Sequence, residues 1–451
     1  MRYPGPSRAP NLRGMLDDIA GPAPISGRVP RPRPRPTFRI AGLLAAGALL
    51  LLPHDASAIK RRAFVTSVTG NGNLASWPGA SGSDALERAD SICRNQAAAG
   101  LLPNAGTYRA WISTAATDAY CHVQGLTGSK SSGCNGAPLP GGGPWFLANG
   151  VSNYTGTLDQ MTGPEAVMYR PVSLDENQDP APSVFLDRQI WTGTGRQGSA
   201  QPTNCADWSS SASGSSGTTG DALGVGYRFS DAFSLSCDTL NHLLCLEPGA
   251  SETVTLGWSP GALAFVTSAT GSGDLGSWPQ ADGLSGINAG YRICRNLAAA
   301  AHLPAPESFV PWLSTTAVDA VARLTTDGPF RRVDGYAVAN DVAVLVSGAP
   351  SNSLHVLENG TYIGTVQDWV WTGTHPDGTA NGDLCLNWTD GGDVEYARAG
   401  DANIGRAGEW TDVNGYHCAV QFRLYCLANV ITLFWDGFEK GSTARWSATA
   451  P

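Results

Sequence analysis

The stretch WTGTHPDGTANGDLCLNW, from Trp371 to Trp388, gathers His375, Asp377, Asp383 and two tryptophans around Cys385, with Asp390 just beyond. Such a set has two physical readings. Carboxylate oxygens on a short loop can hold a hard divalent cation, and a nearby indole can stack on a sugar. Alternatively the acids only hydrogen-bond the backbone of a long tight loop, because His-Pro-Asp-Gly is turn chemistry in its own right.

Other residues with chemical potential are scattered. Beyond residue 58 the histidines are His122, His242, His302, His355, His375 and His417, and none stands in an H-E-x-x-H arrangement. There is no G-x-S-x-G elbow and no phosphate loop. His417, beside Cys418, reads as structural. GSGDLG, Gly271 to Gly276, fits G-x-G-x-x-G after a strand, but Ser-Trp-Pro follows it where a dinucleotide fold needs a helix. Asp175, Glu176 and Glu358 precede the W-T-G-T strands and read as solvated loop charge. No general acid or base is assigned, so the chain reads as a non-enzyme.

Positioning these residues falls to a repeated frame. AFVTSVTGNGNLASWP at Ala63 returns as AFVTSATGSGDLGSWP at Ala264, and ICRNQAAAGLLP at Ile92 returns as ICRNLAAAAHLP at Ile293. W-T-G-T at Trp191 recurs at Trp371, and Cys205, Cys237 and Cys245 recur as Cys385, Cys418 and Cys426. The first copy therefore holds about 20 extra residues between its helix and its W-T-G-T strand, with Cys121 and Cys134 inside them. In each copy AFVTS predicts a strand and the Gly-rich turn after it a reversal. Ser83 is placed to cap a helix through DALERADSICRNQAAA, whose Leu86, Ala89, Ile92, Cys93 and Ala97 share one face. YRAWIST and FVPWLST read as buried strand or turn, the W-T-G-T runs as strands, and the last cysteines lie in terminal strands.

Tryptophans sort by the same repeat. Trp77 and Trp278, Trp111 and Trp312, Trp191 and Trp371, and Trp208 and Trp388 match between copies and read as core. Trp145, Trp369 and Trp410 have no such match and read as ligand-facing surface.

The whole chain sets further bounds. At 451 residues two or three domains are expected, and 55 glycines with 15% charged residues imply a loop-rich surface. Five arginines from Arg28 to Arg39 precede the apolar run IAGLLAAGALLLL, and Ala56-Ser57-Ala58 offers a cleavage site, so residues 1–58 read as a signal peptide with an N-terminal extension. That run is short of the roughly 20 residues a spanning helix needs. No transmembrane segment is expected in the mature chain. Removing 1–58 takes away eight Arg against three Asp and deepens the formal charge from −9 to −14. Nucleic acid and heparin-like partners are thereby disfavoured. The expected location is secreted, extracellular or cell-surface, with the periplasm as an alternative.

Export makes disulfides the default state, and four cysteines per copy allow three connectivities. A bridge from the first helix to the last strand would tie the ends of a copy together. The nested pairing is then Cys93 with Cys245 outside Cys205 with Cys237, and Cys294 with Cys426 outside Cys385 with Cys418. Cys121 with Cys134 would clip the insertion.

A strand AFVTS, a helix ending in C-R-N-x-A-A-A-x-x-L-P, an A-W-I-S-T element, then W-T-G-T, Cys, Trp and a terminal Cys pair together resemble the endostatin-like module, a variant of the C-type-lectin-like fold. The chain is also similar to exported bacterial proteins of unassigned function built on that module. The resemblance implies an α+β chain of two tandem C-type-lectin-like (endostatin-like) domains with nested disulfides, at 59–248 and 262–428, joined by a linker at 249–261. It implies binding of an extracellular protein or glycan through loops. The arginine-rich face and N-terminal zinc histidines of endostatin have no counterpart here.

Calcium-dependent lectins of the parent fold carry an acidic triplet with proline, an acid two residues before a cysteine, and Trp-Asn-Asp before the next. His375-Pro376-Asp377, Asp383 and Trp410-Thr411-Asp412 resemble that set, so Asp377, Asp383 and Asp412 are the candidate calcium ligands, with a turn as the favoured reading. The first copy has Gly195-Arg196-Gln197, Thr203 and Phe229-Ser230-Asp231 there and is not expected to hold calcium. The tail 429–451 resembles a sorting segment, with a frayed strand as the alternative. The reading is an exported binding protein without a required cofactor. Calcium-dependent carbohydrate binding by the second domain, and a hydrolase acting on envelope polymers, are the alternatives.

Overall fold

The computed structural model describes residues 59–364 and 369–433. The proposed signal region, and the tail beyond residue 433, lie outside them. Short runs of β-branched and aromatic residues become strands because both their faces are covered by neighbouring chain. The first copy supplies β1 (Arg61–Val65), α1 (Ala85–Ala99), β2 (Arg109–Ala110), β3 (Gly142–Gly143), β4 (Trp145–Leu147), β5 (Gln189–Trp191), β6 (Ser216–Asp221), β7 (Phe233–Ser236) and β8 (Leu244–Leu246). After it come β9 (Gly249–Ala250) and then β10 (Gly261–Val266), α2 (Gly286–Ala300), β11 (Phe309–Pro311), β12 (Phe330–Arg332), β13 (Ala337–Ala339), β14 (Trp369–Trp371), β15 (Tyr396–Asp401), β16 (Asn414–His417) and β17 (Arg423–Thr432).

The two copies pair their strands alike. β1 runs antiparallel to β8 with Phe64 opposite Cys245, and β10 runs antiparallel to β17 with Phe265 opposite Cys426. β4 and β12 lie parallel on the far side of those first strands, and β2 and β11 flank the last ones. β5-β6-β7 and β14-β15-β16 form the other antiparallel set. The fold is thus mixed α+β with several sheets. In the second copy the sheet is continuous through β17, while in the first a single bridge from Ile190 to His242 joins the halves. The last strands also differ in length: Pro248 lacks the N–H that would extend β8, whereas Asn429 at the matching place lets β17 run on. Residues 429–432 of the tail continue β17, and its remainder beyond residue 433 lies outside the described residues. The stretch 249–261 is likewise tied at both ends, by β9 on β3 and by the start of β10.

Helix α1 buries Ala85, Ala89, Ile92, Cys93 and Ala97 against the sheet. Its cap falls one residue later than expected, on Asp84, whose carboxylate accepts from Glu87 N while Glu87 accepts from the N–H and hydroxyl of Ser83. All five cysteine pairs anticipated above are disulfides, with Cα atoms 5.5–5.7 Å apart. One bridge in each copy staples the helix to the last strand. Each is worth about 2–4 kcal/mol in constraining the unfolded chain.

The opening stretch folds tightly. Cys385, Leu386, Asn387 and Trp388 all have positive φ, as do Cys205 to Trp208 in the first copy. A left-handed turn of L-residues costs roughly 1–2 kcal/mol per residue and persists only when over-determined. Here the disulfide, the buried Trp388 and the bond from Thr316 N to Asn387 Oδ1 at 2.8 Å hold it. In the first copy Asp207 Oδ1 takes the same bond from Ala115 N at 2.7 Å.

Apolar cores separate by copy, one spanning 262–428 and two within 63–246. The copies then meet in two places within one compact unit. At the first, loops after β6 and β15 exchange backbone bonds, Val225 N to Asn403 O at 2.9 Å and Gly405 N to Leu223 O at 3.1 Å, around Leu223, Ile404 and Ala407. At the second, His355 Nε2 lies 2.8 Å from the Met168 carbonyl, and Arg332 donates to Tyr169 O and to Asp334 at 2.9 and 2.7 Å. Tyr362 donates to Asp334, and the Tyr169 ring stacks on Tyr336 at 5.4 Å.

Candidate functional site

Residues Gly220 and Gly400 set the site up. A Cβ at either would strike the carbonyl of Phe229 or Trp410, so only glycine lets the loops 221–230 and 401–411 fold back on β6 and β15. Between those loops lies a cavity of about 300 Å³ with walls from both copies. Phe185, Arg188, Asp221, Arg228 and Phe233 come from the first. Trp369, Asp401, Ile404, Glu409, Val413 and Tyr416 come from the second.

Rings form most of its walls. Phe185 meets Phe233 edge-on at 4.9 Å, and Trp369 packs on Tyr416 at 5.2 Å. Val184 and Leu186, each 60% exposed, flank Phe185 in a short 3-10 turn. Arg228 joins the two walls: its guanidinium carbon sits 5.2 Å from the Phe233 centroid and 5.5 Å from that of Trp369, and its Nη2 pairs with Asp401 at 2.5 Å. Arg188 Nε reaches both oxygens of Asp221 at 2.8 and 2.9 Å, and Nη2 reaches Glu409 Oε1 at 3.1 Å. Burial is the largest influence on the Asp221 carboxyl and pushes it above its usual range, while Arg188 pulls it back. Every carboxylate here faces a guanidinium rather than another carboxylate, an arrangement suited to holding a ligand in place and not to sharing a proton.

The sequence-predicted residues fare unevenly. Of the three tryptophans offered as ligand-facing, only Trp369 lines the cavity. Trp145 is 1% exposed, with its indole N–H on the Glu247 carbonyl at 2.9 Å, and Trp410 is sealed between Trp312 and Tyr425 at 5.2 and 5.5 Å. Both are core residues. An unmatched tryptophan need not be exposed: Trp410 packs on Trp312 where Phe229 packs on Trp111 in the first copy.

The calcium set is not assembled. Asp412 pairs with Arg398 Nε at 2.9 Å and His375 Nδ1 at 3.0 Å. Asp377 accepts from the N–H and hydroxyl of Thr379, which lower its carboxyl below the usual range. Asp383 faces Gly415, and its carbonyl takes Arg398 N. Among the described residues no group of three or more His, Cys, Asp or Glu side chains is arranged to hold a metal ion. The Arg398 guanidinium takes up Asp412, and Asp377 is engaged with Thr379 inside its own turn.

Glu176 and Glu358 also differ from expectation. They are 1% and 5% exposed, and each accepts from the N–H and hydroxyl of a serine after the first strand, Ser67 and Ser268. They clamp loops. The decoy GSGDLG forms a 3-10 turn over Leu275–Ser277 capped by Asp274.

Two more grooves, of about 400 and 260 Å³, lie on α1 and α2 at matching places. The first is lined by Glu87, Asp90, Arg94 and Arg109, the second by Asn288, Tyr291, Arg292 and Arg295. His122 Nε2 lies 2.8 Å from Asp90 beside the first, and Arg292 and Arg295 face Asp282 and Glu307 beside the second. The first groove is walled by charged side chains, with His122 and Asp90 buried behind it, and the ion pairs beside the second are largely solvated.

Sequence reasoning missed Arg188, Asp221, Arg228, Asp401, Glu409 and the ring pair Phe185 and Phe233. One signal was present: G-D-A-L at Gly220 and G-D-A-N at Gly400 place Asp221 and Asp401 at the same point of each copy. Among the described residues there is no free cysteine and no helix long and apolar enough to cross a membrane. No protein-family model matches the chain, and comparison with curated proteins finds no match either.

Proposed function

We propose that the chain is an exported, non-enzymatic binding protein built of two lectin-like modules of the endostatin-like type, whose loops recognise an extracellular protein or glycan. The observation that carries this reading is the ring-walled cavity formed by loops of both copies, with its charges locked in pairs. Its size is at the lower end of the range for small-ligand sites, and mostly apolar walls with a few fixed polar groups are the usual make-up of such sites. Five disulfides suit an oxidising location outside the cytoplasm. Repeated use of one helix-and-sheet frame, differing mainly in its loops, suits recognition.

The test is an array of glycans and cell-surface proteins probed with the intact chain. Saturable capture of one class is the expected result. Absence of capture, together with breakdown of an envelope polymer by the same preparation, would replace this reading with a hydrolase.

A further inference from the structure

Charge decides what the cavity accepts. The faces of Phe233 and Trp369 already receive the Arg228 guanidinium, so a cationic ligand would be a second positive group beside Arg228 and Arg188. An anionic ligand would meet Asp221, Asp401 and Glu409, on a chain of formal charge −9. What fits is a neutral molecule with one apolar face and a polar edge. A pyranose ring has that form: its C–H face packs on an indole or phenol ring, and its hydroxyls donate to carboxylates.

The polar edge is at hand. Glu409 Oε1 accepts from Arg188 Nη2, and with its side chain 31% exposed the carboxylate retains capacity to accept from a hydroxyl. Arg188 and Asp221 fix Glu409 from below, so the acceptor is held before the ligand arrives. The volume of about 300 Å³ admits a sugar ring with part of its neighbour.

We propose, resting on the binding reading above, that this cavity is a saccharide subsite for an uncharged pyranose ring, packed against the parts of Trp369 and Tyr416 that line it and hydrogen-bonded to Glu409. Phe185 and Phe233 close the other wall, so the subsite needs both copies.

The experiment titrates neutral trisaccharides of gluco, galacto, manno and N-acetylglucosamine type into the intact chain by calorimetry, with tryptophan emission as a second readout. Trigalacturonate and a chitosan trimer serve as charged counterparts. At least one neutral probe should bind and shift the emission, and the charged ones should bind at least tenfold more weakly. Trp369→Ala and Glu409→Gln should each weaken binding about tenfold, with folding checked by thermal melts. Tyr416→Leu, which keeps an apolar wall, repeats the test should Trp369→Ala unfold. Tyr291→Ala in the α2 groove should leave affinity unchanged. The proposal is overturned if no neutral probe binds, if the charged probes bind as well, or if Trp369→Ala or its stand-in Tyr416→Leu leaves affinity unchanged together with Glu409→Gln. Protein capture on the array without any sugar binding would remove this inference and leave the broader reading standing.

Discussion

The junction of 168–170 with 332–362 and the cavity beside the loop exchange are made of the same ingredients and finish differently. At the junction, rings, two arginines, a carboxylate and a histidine pack on one another, leave a cleft of only about 90 Å³, and keep Arg332 and His355 fully buried. In the cavity, rings, two arginines and three carboxylates stop short of closure and leave room. Burial alone would raise the Asp334 carboxyl, but Arg332 and the Tyr362 hydroxyl hold it below its usual range; in the cavity burial wins at Asp221. Aromatic and charged residues between two folded units are therefore no sign of a site by themselves. The unfilled space is the sign.

If that distinction holds, substitutions should split by region. The largest effect is expected for Asp334→Ala, which strands the Arg332 guanidinium in the interior. Breaking a buried pair from one side costs about 3–5 kcal/mol, measured by denaturant unfolding. A loss below about 1 kcal/mol would mean the junction is not a closed clamp.

Acid should find the same junction next. Arg332 can only donate, so His355 Nδ1 accepts from it at 3.1 Å, and the proton sits on Nε2 facing Met168 O. Burial first, and Arg332 second, lower the imidazole to about 3. The folded pKa lies below the unfolded value, so this stability is complete above about pH 6.5 and declines as pH falls toward 3. The expected slope is about 1.4 kcal/mol per pH unit, and His355→Gln should flatten it. An equal slope in that variant would assign the acid sensitivity elsewhere.

A change outside both regions calibrates the scale. Leu386 is 59% exposed in the left-handed turn at φ 50°. Leu386→Gly should stabilise by about 1 kcal/mol, because glycine adopts that backbone without penalty. Destabilisation would show that the leucine side chain holds the turn.

Smallest of all should be Glu409→Gln, at about 0–1 kcal/mol, since Arg188 keeps its two-oxygen contact with Asp221 and the Glu409 side chain is partly solvated. A larger loss would move the cavity into the class of closed clamps.

Local chemistry made much of the frame legible. Helix α1, the first and last strands, the matched tryptophans and the disulfide pairs follow from period, capping and cysteine order. The cavity was not legible, because Phe185 and Tyr416 are ordinary residues in their own copies and become neighbours only when the copies dock. Trp145 and Trp410 misled for a related reason: exposure depends on what a loop folds against. The buried serine–glutamate clamps at Ser67 and Ser268 were hidden by spacing of about a hundred residues.

The backbone exchange between the loops after β6 and β15 has a mirror property. Val225 and Gly405 are 180 positions apart in the chain, and so are Leu223 and Asn403; each donor of one pair answers the acceptor of the other. Such a contact is self-complementary, the kind by which two identical subunits associate about a two-fold axis. The exchange therefore draws on nothing that one copy alone possesses. A protein made of two identical first copies should then assemble the same loop exchange. Amide exchange showing no protection at Val225 in such a molecule would show that the contact needs one loop of each kind.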